Sequence, residues 1–199
     1  MGMRNGNEGY RFEHAPLFDE SLDPVVWLAR MSVEGFVSLG RPIGVPSGLP
    51  EELLSARAGV FVSLHENGEL RGCIGTIAPT QDNLALEIIR CGVLACSDDP
   101  RFPPVAEDEL AFLEYSVDVL EEPESIDSLD QLDVLEYGVI VTLGWRRGLL
   151  LPNLEGVDSV EQQVAIAKRK AGIPPAEPNV ELQRFRVVRH TAGGAPRGE

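Results

Sequence analysis

Apolar residues recur at helical spacing in three stretches of the chain, and each stretch is bounded by residues typical of helix ends. The first begins at Asp23-Pro24, which combines a capping side chain with a first-turn proline, and it stops at Gly40. The pattern predicts three main helices, and a loop rich in proline and glycine precedes a shorter helical turn. These predicted helices cover residues 24–40, 83–97 and 158–171, with the short turn over 51–56.

Alternating apolar and polar residues mark the predicted strands. Several of these segments follow one another across short turns, and they do not alternate regularly with helices. This order favours an α+β fold with a mainly antiparallel sheet flanked by helices. The predicted strands cover residues 60–66, 69–77, 113–120, 138–144, 147–151 and 181–190, while residues 121–133 are interpreted as an acidic, solvated connection.

The first two predicted strands form a hairpin whose register follows from its turn. Asn67-Gly68 is a favoured pair for a two-residue type I′ turn, in which both residues have positive φ. With an unbroken ladder, Leu64 pairs with Arg71 and Val62 pairs with Cys73. Arg71 and Cys73 are therefore expected on one face. A guanidinium on such an apolar hairpin requires a partner, and a bound ligand is one candidate.

Composition changes this picture mainly through charge. Of the 199 residues, 43% are hydrophobic and 25% are charged, which is typical of a globular protein with a sizeable core. The net charge of −15 disfavours nucleic acid and anionic membranes as partners, because clustered lysine and arginine bind phosphate groups. Lys168 and Lys170 are the only lysines among 17 basic residues. Composition bias explains this arginine excess most simply, although guanidinium groups also suit carboxylates and phosphates.

A single domain is expected over residues 15–190, between a flexible leader at 1–14 and a disordered, glycine-rich tail at 191–199. The leader lacks the apolar core of a signal peptide, and no apolar run reaches the roughly 18 residues of a membrane-spanning helix. The three cysteines show no paired spacing, which fits a reducing compartment. We therefore expect a cytoplasmic protein.

Cys73 is the candidate nucleophile, because a thiolate needs a nearby cation and Arg71 lies two residues away on the same expected face. The alternative is a buried, inert cysteine. In the unbroken register the potential base His65 lies on the opposite face, although a β-bulge at a glycine would change this. Cys91 and Cys96 are interpreted as core cysteines of a helix.

Arg101 and Arg146 are further candidate contacts for a ligand. Arg101 lies in a proline-bounded segment, which is either a structural loop or part of a site. Arg146 follows Trp145 at a predicted hairpin tip, where the tryptophan is either a packing anchor or a wall for a planar ligand. The sequence has no zinc, calcium-loop or phosphate-loop motif, so no metal site is predicted and the cofactor stays open.

Six short segments occur in the same order as in a known family. They are Gly59–Leu64, Gly68–Thr76, Asp99–Pro104, Arg146–Pro152, Arg169–Gly172 and Glu181–Phe185. Together they resemble the AMMECR-type domain family, whose bacterial and archaeal members are called AmmeMemoRadiSam system protein A. The resemblance covers residues 23–190, and residues 71–75 match the family signature. It implies a larger lobe built from both chain ends, a smaller lobe, and a cleft between them near the signature.

The resemblance also implies association with a Memo-like protein, similar to extradiol dioxygenases, and with a radical S-adenosylmethionine (SAM) enzyme. The favoured function is a small-molecule-binding or catalytic accessory protein of that system, with an anionic or carbonyl-bearing ligand approached by Cys73. The alternatives are a non-catalytic interaction module that docks through the hairpin and, weakened by the acidic charge, an RNA-modification protein. The expected ligand contacts are Arg71, Gly72, Gly75, Arg101 and Arg146.

Overall fold

A computed structural model of the chain describes Phe18 and residues 21–192. The predicted leader and the part of the predicted tail beyond residue 192 lie outside the described residues. The helices are α1 (Pro24–Leu39), α2 (Glu51–Ser55), α3 (Leu84–Ser97) and α4 (Val160–Lys170), and two short 3₁₀ segments cover Glu107–Phe112 and Leu129–Gln131. The strands are β1 (Val60–Glu66), β2 (Glu69–Gly75), β3 (Leu113–Leu120), β4 (Glu124–Ile126), β5 (Gly138–Leu143), β6 (Arg146–Leu150), β7 (Glu181–Phe185) and β8 (Val187–Thr191).

The helix ends confirm the predicted start and stop signals. The Asp23 carboxylate accepts hydrogen bonds from the backbone N–H groups of Val25 and Val26, at 2.9 and 3.0 Å, and so caps α1. Gly40 ends α1 with a φ of 67°, a left-handed conformation that glycine adopts without strain. Asn83 caps the start of α3 through its side-chain oxygen. These contacts are local in sequence, so the sequence reveals them.

The strands form two four-stranded sheets whose pairings are antiparallel, which confirms the α+β class. The first sheet has the order β2-β1-β3-β8, and the second has the order β4-β7-β5-β6. Two predictions are wrong in detail. The acidic connection contributes strand β4, and Arg186 divides the predicted strand over 181–190 into β7 and β8. The chain therefore passes from the second sheet to the first at Arg186.

Each sheet has its own hydrophobic core, and the two cores define a larger and a smaller lobe. In the larger lobe, α1 and α3 pack on the first sheet, where Leu28 and Val62 are fully buried. In the smaller lobe, α4 packs on the second sheet around Val139. The larger lobe contains both ends of the described chain, since His190 Nδ1 on β8 lies 2.8 Å from Asp23 Oδ2 at the start of α1.

The β1–β2 hairpin has the predicted turn, but β2 carries one residue more than the predicted register allows. Asn67 and Gly68 have φ values of 52° and 80°, as a type I′ turn requires. Farther along the ladder, Leu64 pairs with Gly72, so its predicted pairing with Arg71 is wrong. Arg71 is the extra residue of a β-bulge.

The bulge changes which side chains of β2 face the core. Cys73 lies opposite Ser63, so its predicted pairing with Val62 is also wrong. The cause is packing against α3, because a Cβ added to Gly72 would clash with the backbone carbonyl of Ala95. Gly72 must therefore face the helix, where no side chain fits. Its neighbour Cys73 consequently faces the other side of the sheet.

Candidate functional site

A cleft of about 1070 Å³ lies beside Cys73 and is lined by residues of both lobes. Its volume is slightly above the roughly 300–1,000 Å³ common for small-molecule sites. Helix α1 and strands β1, β2, β3 and β8 contribute the larger lobe's part of the wall. Leu151 and Leu154, which follow β6, contribute the smaller lobe's part. The cleft expected between the lobes near the signature is thus present.

Cys73 is half-buried and lines this cleft. Its backbone N–H donates a hydrogen bond to Asp99 Oδ2 at 2.8 Å, and Ser63 Oγ donates one to its sulfur at 3.2 Å. Because of the bulge, Cys73 shares its face with His65, so the predicted placement of this histidine on the opposite face is wrong. The thiol therefore shares the cleft wall with a hydroxyl group and an imidazole.

Asp99 is the residue that joins Cys73 to Arg101. It is buried, with 4% of its surface exposed, and its carboxylate accepts hydrogen bonds from Arg101 Nε at 2.9 Å and Nη2 at 2.7 Å. The Arg101 guanidinium holds the pKa of this carboxyl group well below its usual range. Arg101 Nη2 also donates to the carbonyl oxygen of Cys73 at 3.2 Å. The sequence indicated Arg101 as a candidate ligand contact in this proline-bounded segment. It did not indicate a role for Asp99.

Arg189 and Asp118 form a second ion pair on the cleft wall that sequence reasoning missed. Arg189 Nε and Nη2 donate to the two carboxylate oxygens of Asp118 at 2.7 and 2.8 Å. These residues occupy paired positions on β8 and β3. The sequence did not reveal this pairing of Arg189 with Asp118, because the single strand predicted over 181–190 gave no register against β3.

Arg71 does not line the cleft. Its Nε and Nη2 donate to the carboxylate of Glu109 at 2.7 and 3.0 Å, and its Nη1 donates to the carbonyl oxygen of Pro103 at 3.0 Å. The Arg71 guanidinium in turn lowers the pKa of Glu109. Arg71 therefore ties the bulge of β2 to the segment that carries Arg101. The partner expected for the Arg71 guanidinium is therefore the carboxylate of Glu109. A direct contact between Arg71 and a ligand stays a prediction.

The other predicted contacts also lie against the protein itself. A Cβ added to Gly72 or Gly75 would clash with a backbone carbonyl, so these glycines permit close packing of β2. Arg146, at the start of β6, donates from Nη1 to the carbonyl oxygen of Gly172 at 2.9 Å and does not line the cleft. Their ligand contacts stay predictions. Trp145 is 92% exposed, so its interpretation as a packing anchor is wrong.

The described residues contain neither a metal-binding cluster nor a membrane-spanning helix. No group of three or more histidine, cysteine, aspartate or glutamate side chains in this part of the chain is placed to hold a metal ion. No helix in residues 21–192 combines the length and apolar character needed to cross a membrane.

Sequence and structure comparisons place the chain among known relatives. The model of the AMMECR1 family matches residues 26–190. A Thermotoga maritima protein is 52% identical over 167 residues, which are 83% of this chain and 95% of that protein. A Clostridium acetobutylicum protein is 50% identical over 169 residues, 84% of this chain but 36% of that longer protein. The crystal structure of an uncharacterised Pyrococcus horikoshii protein superposes with a TM-score of 0.79 at 31% identity, covering 92% of this chain and 98% of its own.

Proposed function

The chain belongs to the AMMECR1 family, and we propose that it binds a small anionic, carbonyl-bearing ligand in the cleft, beside the Cys73 thiol. Arg101 is the proposed charge contact, and Cys73 is the proposed reactive group. The observation that carries this proposal is the anchoring of both residues to one buried carboxylate, that of Asp99. A shared anchor holds the Arg101 guanidinium beside the backbone of Cys73.

The geometry of Arg101 supports an anionic ligand. Its Nε and Nη2 are held by Asp99 and Cys73, whereas its Nη1 has no hydrogen-bond acceptor among the described residues. The side chain is 54% exposed within the cleft wall. A guanidinium that is already fixed loses little further conformational entropy when a carboxylate binds, and its planar fork suits that group.

The surroundings of Cys73 support a role for its thiol. Cys91 and Cys96 are buried in the core, where burial raises the pKa of each thiol to about 12. Cys73 instead lines the cleft, and Arg101 Nη2 donates a hydrogen bond to its carbonyl oxygen at 3.2 Å. Of the three thiols, it is therefore the one that a ligand in the cleft can reach.

Protection of Cys73 from alkylation tests the proposal. The full chain is treated with iodoacetamide, alone or with acetate, pyruvate, succinate or phosphate, and modification of Cys73 is followed by mass spectrometry. We expect pyruvate to slow the modification in a saturable manner, because the bound anion covers the thiol. Arg101→Gln should weaken this protection at least tenfold in apparent affinity, about 1.4 kcal/mol.

The matched control is Arg57→Gln, which removes an exposed arginine outside this cleft and should leave protection unchanged. Circular dichroism and thermal melting establish that both variants fold. The proposal is overturned if none of the four anions protects Cys73 in the wild-type protein. It is equally overturned if the two arginine variants lose protection to the same extent.

A second proposal concerns partners, namely a Memo-like protein and a radical SAM enzyme bound through the β1–β2 hairpin. Phe112 directly precedes the residue that pairs with Glu66 at the hairpin end, and it is 63% exposed. Leu70, just after the turn, is 39% exposed. Both residues lie at the turn end of the first sheet, and exposed apolar side chains there support a protein contact. In the Clostridium relative the matched region is 36% of a longer chain, which supports joint action with another protein region.

Co-purification with a recombinant Memo-like protein tests this second proposal. We expect Phe112→Ser to reduce the amount of retained partner, because it removes an exposed apolar contact at the hairpin. Leu135→Ser is the matched control, since Leu135 is 67% exposed but lies between β4 and β5 of the second sheet, whereas Phe112 adjoins the strand that pairs with β1. Equal retention by the wild-type protein and both variants would rule out docking through the hairpin.

A further inference from the structure

We propose that the ligand of this cleft is a linear dianion, whose second anionic group is bound by Arg189. The ligand class is then a small 2-oxo dicarboxylic acid. Arg101 holds the carboxylate beside the ketone, and Arg189 holds the far carboxylate. Both arginines line the cleft. This inference rests on the proposed function, because it specifies the ligand of the same site, and it gives a role to the ion pair of Arg189 and Asp118.

Arg189 is presented to the cleft in the same way as Arg101. Each guanidinium donates from Nε and Nη2 to the two carboxylate oxygens of one aspartate, Asp118 for Arg189 and Asp99 for Arg101. Asp118 is as buried as Asp99, with 5% of its surface exposed, whereas 41% of the Arg189 side chain is exposed. Each ion pair therefore turns mainly its cation toward a ligand.

The Nη1 group of Arg189 is available to such a ligand. It has no hydrogen-bond acceptor among the described residues, as is also true of Arg101 Nη1. A guanidinium carries five N–H donors in a planar fork that matches a carboxylate. Because Asp118 already fixes the Arg189 side chain, binding a carboxylate costs little further conformational entropy.

The register of the first sheet separates the anchors of the two arginines. Cys73, Ser63 and Ser116 occupy paired positions on β2, β1 and β3, and all three line the cleft. Arg101 is bound to Cys73 at one end of this row, whereas Asp118 lies on β3, two residues beyond Ser116. Two strand spacings across the sheet and two residues along it separate the Cα atoms of Cys73 and Asp118 by roughly 12 Å. A linear ligand with an anionic group at each end suits this arrangement better than a single carboxylate does.

The acidic residues of the cleft wall indicate which way the ligand extends. Three of them contact a basic side chain, namely Asp23, Glu34 and Asp118. Glu114 has no ion-pair partner in the described part of the chain, and it lies on β3 two residues before Ser116, on the side opposite Asp118. Because like charges repel, a dianion held by Arg101 should extend away from Glu114 and toward Arg189.

Protection of Cys73 from alkylation by matched pairs of acids tests this inference on the full chain. The diacids 2-oxoglutarate and 2-oxoadipate are compared with the monoacids 2-oxopentanoate and 2-oxohexanoate, which have the same carbon numbers but lack the far carboxylate. Modification by iodoacetamide is followed by mass spectrometry at constant ionic strength. We expect at least one diacid to protect at no more than one tenth of the concentration that its monoacid requires, because Arg189 adds a second contact.

Variants of the second ion pair complete the test. Arg189→Gln should remove most of the advantage of a diacid over its monoacid. Because this change leaves the buried Asp118 without its partner, the double variant Arg189→Gln with Asp118→Asn replaces both charges and is measured as well. The matched control is Arg186→Gln, which removes an exposed arginine that pairs with Glu136 outside the cleft, and it should keep the advantage. An advantage that survives in the double variant, or that the control loses equally, overturns the inference.

The wild-type protein distinguishes failure of this inference from failure of the proposed function. If the monoacids protect Cys73 and neither diacid protects better than its monoacid, the second anionic contact is wrong and the ligand site stands. If none of the four acids protects Cys73, the proposed function itself fails.

Discussion

At the scale of single residues, the three cysteines differ more in their surroundings than in their sequence context. Cys91 and Cys96 are buried in the core of the larger lobe, whereas Cys73 lies on the cleft wall beside Ser63. A thiol reacts as its thiolate and only where a reagent reaches it. The fold therefore leaves one cysteine available for reaction.

Alkylation of the folded protein should label Cys73 alone. Iodoacetamide at neutral pH is expected to add one group per chain before urea treatment and three groups after it, because unfolding exposes Cys91 and Cys96. Peptide mapping by mass spectrometry measures both states. Cys73→Ser should leave the folded protein unlabelled, and rapid labelling of Cys91 in the folded wild type would contradict this assignment.

A second residue with a defined role is Glu87, whose buried carboxylate organises the loop that follows β2. It accepts hydrogen bonds from the hydroxyl groups of Thr76 and Thr80, at 2.8 and 2.9 Å, and from the backbone N–H groups of Thr80 and Gln81, at 2.6 and 2.8 Å. Burial alone would raise the pKa of Glu87, but these hydrogen bonds outweigh it, so the pKa is lowered.

Glu87→Gln should reduce the free energy of unfolding by about 2 kcal/mol at pH 7, because an amide cannot accept all of these hydrogen bonds. A lowered pKa in the folded state stabilises the protein above the unfolded pKa of about 4.3, and this contribution is lost as the pH falls through the folded value. The difference between variant and wild type should therefore shrink in acid. Urea unfolding at pH 7 and pH 3.5 measures it, with the exposed Glu52→Gln as control. An equal difference at both pH values would contradict the prediction.

At the scale of elements, the bulge in β2 decides which face of the sheet carries the site. It places Gly72 against α3 and Cys73 toward the cleft. Arg71, the extra residue, is held by Glu109 outside the cleft. One additional residue in a strand thus exchanges the faces of those that follow.

Gly72→Ala should destabilise the protein by about 1–3 kcal/mol, because the new methyl group meets the backbone carbonyl of Ala95 and the helix cannot give way easily. Gly44→Ala is the control. Nothing lies within 4 Å of a Cβ at Gly44, so its effect should stay within about 0.5 kcal/mol. Thermal and urea unfolding of both variants provide the comparison. Similar stability of the two variants would show that Gly72 does not pack as described.

Elements with local signals were predictable from the sequence, and features set by distant contacts were not. The caps at Asp23 and Gly40 and the Asn67-Gly68 turn lie within the segments that they shape. The bulge depends on packing against α3, which follows the hairpin in sequence. The hairpin residues alone therefore indicated an unbroken register. The sequence also did not reveal that the strand predicted over 181–190 is divided into β7 and β8, because the alternating pattern continues across Arg186. For the candidate site, the sequence predicted a role for Cys73 but gave no sign of Asp99, whose carboxylate accepts from the Cys73 backbone N–H.

At the scale of the whole molecule, both lobes line the cleft, and the charge beside Cys73 differs from the net charge of the protein. A third hydrophobic cluster, which includes Leu120 and Phe185, joins the lobes beside the cleft. The chain has a net charge of −15, yet Arg101 presents a fixed guanidinium beside Cys73. A small anion should therefore be drawn to Cys73, although the protein as a whole repels it.

The most direct test compares alkylation of Cys73 by iodoacetate, which is an anion, with alkylation by neutral iodoacetamide. The ratio of the two rate constants is measured at low salt and compared with the ratio for a cysteine in an unstructured peptide. Attraction in the cleft predicts a higher ratio for Cys73, which falls in Arg101→Gln, stays unchanged in Arg57→Gln and declines as salt is added. A ratio at or below that of the peptide would mean that the overall negative charge dominates at Cys73, and it would contradict the proposed anion site.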